Sequence, residues 1–161
     1  MGRRASTIVV FIAGFMALTM IAAWADSVSG GGQTAQSAAL GFSVHSNLQG
    51  ELNYNADPHG PNAGFSAHCS TWYSYVQKVT NGFPMVIVEG LCTDKDGNTL
   101  FINAGFIDEG TPGTNDIVCI RFYDSNHNLI IHDHGNLTAG NITIHQDPNN
   151  SSGSVAEMLS S

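Results

Sequence analysis

His132 and His134, one residue apart, are the best placed for chemistry of the seven histidines in this chain. Positions i and i+2 of a strand leave the same face, so both imidazoles can approach one ion. A third ligand would come from His145, His127 or a nearby carboxylate once the last strands pair, and imidazole donors select zinc or copper. The competing reading of His132, His134 and His145 is a solvated strand end that holds no cofactor.

Trp72, Tyr73 and Tyr75 form a second group. On one strand Tyr73 and Tyr75 share a face, and an exposed aromatic row of that kind stacks on sugar rings. The same row also serves as cross-strand packing in a core. Asp94-Lys-Asp96-Gly-Asn98 and Asp124-Ser-Asn126-His-Asn128 alternate oxygen donors as a weak Ca²⁺ loop would. Neither has the glycine and closing acid of an EF-hand, so both read as turns. Asp108, Glu109 and Asp116 flank one Gly/Pro-containing loop and read as turn formers rather than as a glycosidase pair held across a cleft. No G-x-S-x-G elbow and no motif around a cysteine supports nucleophilic catalysis, and the sequence leans away from an enzyme.

The compartment follows from the first segment. Arg3 and Arg4 precede an uncharged apolar run from Thr7 to Trp24, which closes on Ala23-Trp24-Ala25 before Asp26. That order of basic, apolar and small-x-small parts predicts a signal helix over residues 1–25, cleavage, and a secreted, extracellular product without a membrane anchor. The cations left are Lys78, Lys95 and Arg121 against thirteen carboxylates. A surface of that sign repels phosphate backbones and anionic headgroups, which argues against nucleic acid as a partner. In an oxidising setting Cys69, Cys92 and Cys119 predict one bridge and one remaining thiol.

Residues 26–37 are Ser, Gly, Gln and Ala without periodicity and read as a flexible linker. From Ala38 onward, short runs rich in Val, Ile, Phe, Tyr and Thr alternate with Gly, Asn, Asp and Pro. Strands are predicted at about 40–46, 49–55, 63–68, 70–79, 84–93, 98–107, 115–123, 128–133 and 141–146. Their spacing indicates a single antiparallel β-sandwich or flattened barrel of eight or nine strands over residues 38–147, with a Ser/Asn-rich disordered tail at 148–161. Asn81-Gly82 and Asp96-Gly97 suit type I′ hairpin turns. A hairpin at Asn81-Gly82 makes facing residue numbers sum to about 163, which brings Cys69 near Cys92 and leaves Cys119 free.

Gly30-Gly31-Gly32-Gln33, Gly41-Phe42, Gly50-Glu-Leu-Asn-Tyr54, Asp108-Glu-Gly-Thr-Pro-Gly-Thr-Asn-Asp116 and Leu137-Thr-Ala-Gly-Asn-Ile-Thr-Ile-His145 occur in that order. Together they resemble the post-COAP-domain family of secreted bacterial β modules. The resemblance spans residues 30–146 and implies a compact extracellular β domain without an established activity. The three cysteines, Trp72-Tyr-Ser-Tyr75 and His132-Asp-His134 depart from that family pattern. The expectation is a secreted non-catalytic module with a structural or interaction role toward an extracellular partner or polysaccharide. A carbohydrate-binding module and a metal-binding protein or metal-dependent enzyme are the alternatives.

Overall fold

The computed structural model describes residues 26–146, so the signal helix at 1–25 and the tail at 148–161 lie outside the described residues. The strands are β1 (Ser27–Gln33), β2 (Ala39–His45), β3 (Gly50–Asn55), β4 (Ser66–Thr80), β5 (Phe83–Asp94), β6 (Thr99–Ile107), β7 (Ile117–Tyr123), β8 (Leu129–Asn136) and β9 (Ala139–His145). A single 3₁₀ turn, Gly113–Asn115, precedes β7. All nine strands form one antiparallel sheet in the order β8-β7-β6-β5-β4-β3-β2-β1-β9. The all-β class holds, but the strands make one curled half-barrel sheet rather than the two stacked sheets of a sandwich.

Strict alternation produces the curl. On β6 and β7 every second residue is buried: Leu100, Ile102, Ala104 and Phe106, then Val118, Ile120 and Phe122. Because the period is two, all of these side chains fall on one face. Phe42 of β2 stacks on Phe106 of β6 with ring centroids 4.1 Å apart, and Tyr54 of β3 meets Phe122 of β7 edge-on at 5.4 Å. In each pair the strands are four apart in the sheet, so the sheet bends until its inner face packs against itself. Only Leu137 and Thr138 join β8, at one edge, to β9, at the other. Three Cα steps reach about 11 Å at most, which brings the two edges together there.

Residues 27–33 depart from the linker reading, since β1 lies between β2 and β9 and is paired along its whole length with both. Its glycines conceal the strand from any propensity argument. They are needed because a Cβ at Gly30 would strike the backbone oxygen of Asn141 on β9. The segments expected at 63–68 and 70–79 are instead one strand, β4, which starts at Ser66.

Two bulges interrupt β4, between Cys69 and Thr71 and between Trp72 and Ser74. Near the Asn81-Gly82 turn the facing pairs are Thr80 with Phe83 and Ser74 with Glu89. Past the bulge nearer the turn the facing pair is Trp72 with Gly90, and past both it is Cys69 with Cys92. Each bulge inserts one unpaired residue. The slip of two places brings the cysteines into direct register, where they form the Cys69–Cys92 disulfide across 23 residues. Closing a loop of that length removes chain entropy from the unfolded state, a contribution of about 3 kcal/mol. Cys119 is free and half-buried.

Free sheet edges invite aggregation unless covered. The edge of β9 is covered by carboxylates: Ile142 N–H donates to Asp116 Oδ2 at 2.6 Å and Ile144 N–H to Asp108 Oδ2 at 3.1 Å. On the β8 side the cover is internal. Asp133, fully buried, accepts from the Thr34 hydroxyl at 2.5 Å and from the Tyr54 phenol at 2.9 Å. Gln36 Nε2 donates to the His132 carbonyl at 2.9 Å. These bonds tie β8 to the β1–β2 turn and to β3, across the line where the sheet has no ladder among the described residues.

Candidate functional site

The outer face of β5–β8 carries cross-strand rows set by the register. One row is Leu91, Phe101, Tyr123 and Leu129; the next is Glu89, Asn103, Arg121 and His132; the third is Ile87, Gly105, Cys119 and His134. The first two rows border a groove of about 400 Å³, whose lining includes Tyr73, Glu89, Phe101, Asn103, Tyr123 and His127. Four of the lining residues carry rings: Tyr73, Phe101, Tyr123 and His127. Between two others, Asn103 Nδ2 donates to Glu89 Oε1 at 2.9 Å.

Tyr73 reaches this groove because of the second bulge. Trp72 faces inward opposite Gly90 and Tyr75 faces inward opposite the buried Val88, leaving Tyr73 as the unpaired residue turned outward and half exposed. Its phenol donates to the Gly90 carbonyl at 3.3 Å. Burial, with a smaller effect of the Glu89 charge, raises its pKa above the usual phenol value, so it remains a hydrogen-bond donor at neutral pH.

The row expected from Trp72, Tyr73 and Tyr75 is therefore not one surface. Trp72 is buried with its indole N–H on the Gly50 carbonyl at 2.9 Å, and Gly90 gives its ring room, since a Cβ there would strike it. Tyr75 packs against the core and its pKa is raised, first by burial and then by the Asp26 charge. Tyr73 alone is available to a ligand. Its partners Phe101, Tyr123 and His127 come from other strands and turns, and single-strand reading could not group them.

His127 reaches the groove through a turn that the chain uses twice. In Asp94–Asn98 the Asp94 carboxylate accepts from the Asp96 and Asn98 N–H groups and from Asn98 Nδ2, and Asp124 does the same for Asn126 and Asn128. Both carboxylates are held below the usual aspartate range, in each case chiefly by the Asn side-chain bond. The fourth position of the first turn is Gly97 at φ 85°, whereas in the second it is His127 at φ 60°. That left-handed conformation costs a residue with a Cβ about 1 kcal/mol. In return His127 lies on Phe101, with ring centroids 4.6 Å apart. We expect His127→Gly to alter folding stability by less than about 0.5 kcal/mol in urea unfolding, because relief of the strained φ offsets the lost ring contact and glycine's unfolded-state entropy.

The acidic candidates have structural occupations. Asp108 and Asp116 hold the β9 edge, and Asp116 also accepts from Glu109 N–H at 2.9 Å. Burial is the main reason the Asp116 pKa is raised, partly countered by those two backbone bonds. The Ca²⁺-like loops use their own carboxylates to close the turn.

His132 and His134 share the outer face as the strand period requires, with rings stacked at 4.8 Å and 19° between planes. His145 lies on β9 opposite Ser27, at the far end of the strand order. The side chain beside His132 is Cys119, with Sγ 3.8 Å from Nε2. Among the described residues no three His, Cys, Asp or Glu side chains converge as placed into a set that could hold a metal ion.

Comparison of this chain with family models, with curated proteins and with solved structures finds no match in any of the three. The groove and the histidine–cysteine patch are thus read from chemistry alone.

Proposed function

We propose that this chain is a secreted, non-catalytic β module that binds a neutral polysaccharide in the outer groove. The observation that carries the reading is the groove itself: the rings of Tyr73, Phe101, Tyr123 and His127 stand around the hydrogen-bonded pair Glu89 and Asn103. Sugar rings present apolar C–H faces and a rim of hydroxyls. Aromatic faces cover the first and a carboxylate–amide pair takes the second. A neutral glycan fits better than a charged one, because the carboxylate surplus and Glu89 repel anions.

Secretion is supported by the basic, apolar and A-x-A pattern of residues 1–25 and by a disulfide of the kind that persists in oxidising compartments. Catalysis has no part in the proposal, since Asp108 and Asp116 are engaged with backbone N–H groups.

Affinity electrophoresis through gels containing neutral glucans, mannans, xylans and galactans tests this. The native chain should be retarded by at least one of them. Tyr73→Ala should weaken that retention about tenfold, the equivalent of one lost stacking contact. Val79→Ala, on the exposed hairpin outside the groove, should not change it. No retardation across the panel, or equal retardation of the Tyr73 variant, overturns the reading.

A further inference from the structure

We propose a second site on the same outer face, a Zn²⁺ site formed by the Cys119 thiolate with the His132 and His134 imidazoles. The register places Cys119 of β7 directly opposite His134 of β8, with His132 on the adjoining diagonal. Side chains directly opposite in an antiparallel pair leave Cβ atoms about 5 Å apart, and i and i+2 share a face. One sulfur and two imidazoles thus project from a single patch of two strands. Bonds of about 2.3 Å to sulfur and 2.0 Å to nitrogen set a tetrahedral S···N edge of about 3.5 Å. The Sγ–Nε2 separation of Cys119 and His132 is 3.8 Å.

The third donor is one side-chain rotation away. His134 is exposed and its ring now lies parallel to that of His132, so turning it toward Cys119 breaks a ring stack and no hydrogen bond that the structure gives it. Space for the ion lies beside the sulfur. The residue across from Cys119 on β6 is Gly105, where an added Cβ would touch only the terminal methyl of Met85, at 3.8 Å. The backbone beneath is fixed from inside, because Asp133, between the two histidines, is held by Thr34 and Tyr54, and the His132 carbonyl accepts from Gln36. Anchored backbone of this kind keeps donors in register. Thiolate with two imidazoles is a donor set for zinc, and the fourth position faces solvent. Cys119 replaces His145 as third ligand, because Cys119 is paired directly with His134 whereas His145 is paired with Ser27 of β1.

Co²⁺ titration of the untagged full chain, with its disulfide intact, reads the site directly. One equivalent should produce a thiolate-to-cobalt charge-transfer band and the visible bands of a tetrahedral centre, both bleached by one equivalent of Zn²⁺. Cys119→Ser should abolish the charge-transfer band. His132→Gln and His134→Gln should each weaken Co²⁺ binding at least tenfold, and His145→Gln should leave it unchanged. Near-ultraviolet circular dichroism of the metal-free variants checks that each is folded. No thiolate band in the native chain, a band that survives Cys119→Ser, or one that needs His145 overturns the proposal. The groove reading does not depend on the result, because polysaccharide retention is measured without metal.

Discussion

Phe106→Ala should destabilise the domain by about 4 kcal/mol, the upper part of the range for a buried aromatic truncated in a packed core. Phe106 is fully buried on β6 and stacks on Phe42 of β2, which lies four strands away in the sheet. Removing the ring leaves a cavity at the contact by which one wall of the curl meets the other. Neighbouring strands cannot move in to fill it, because β5 and β7 are fixed to β6 by complete ladders. Equilibrium denaturation in urea should show a lower midpoint with an unchanged slope. A loss below about 1 kcal/mol would mean that the inner face does not close on itself. Folded domains are stable by only about 5–15 kcal/mol, so a substitution of this size takes a large share of the total.

Asp133→Ala should cost a similar amount, about 4 kcal/mol, for an electrostatic reason. The carboxylate accepts the hydroxyls of Thr34 and Tyr54 inside the fold, while its Oδ1 finds no partner among the described residues. With the acceptor gone, two buried donors lose their partner, at about 2 kcal/mol each. The Tyr54 pKa is raised well above the usual phenol value, first by burial and then by the Asp133 charge and hydrogen bond, so the phenol cannot escape by ionising. Asp133→Asn retains one oxygen acceptor but puts its amide N–H groups at the partnerless Oδ1 position, so it should lose about 2 kcal/mol, less than Asp133→Ala. Thermal unfolding of the two variants beside the native chain distinguishes them. Equal losses would show that the side chain fills volume rather than accepting hydrogen bonds. Hydrogen exchange should also rise along β8 in Asp133→Ala, since that edge strand is tied inward by these bonds.

How far the sequence revealed this fold depends on where its strands alternate. β5, β6 and β7 were legible because every second residue is apolar and their turns carry Asn-Gly or Asp-Gly, or sit in a polar Gly/Pro loop. β1 was not, because its glycines stand where a Cβ would strike the backbone of β9 and β2, and Ser-Gly-Gly-Gly carries the composition of a linker. Closure into one sheet was also out of reach. It depends on β9 returning to β1, a long-range pairing that no local pattern encodes.

The candidate sites divide along similar lines. Neither bulge in β4 leaves a mark on its sequence, yet together they align Cys69 with Cys92 and turn Tyr73 away from Trp72 and Tyr75. The expected bridge formed because its geometry tolerated a slip of two places, whereas the aromatic row could not survive a change of face. Phe101 and Tyr123 were visible as residues at outward positions of predicted strands, without any sign that they were neighbours. The signal that was present is the repeated turn: Asp94–Asn98 and Asp124–Asn128 match at the first and last positions and differ where a left-handed glycine is replaced by His127.

Amide chemical-shift mapping with the retained oligosaccharide tests the central functional claim most directly. Addition of the sugar to labelled protein should move the resonances of Tyr73, Glu89, Phe101, Asn103, Tyr123 and His127 together, and leave those of the β1–β9 face in place. Perturbations that gather on another surface, or a spectrum unmoved by every neutral glycan of the panel, would contradict the account.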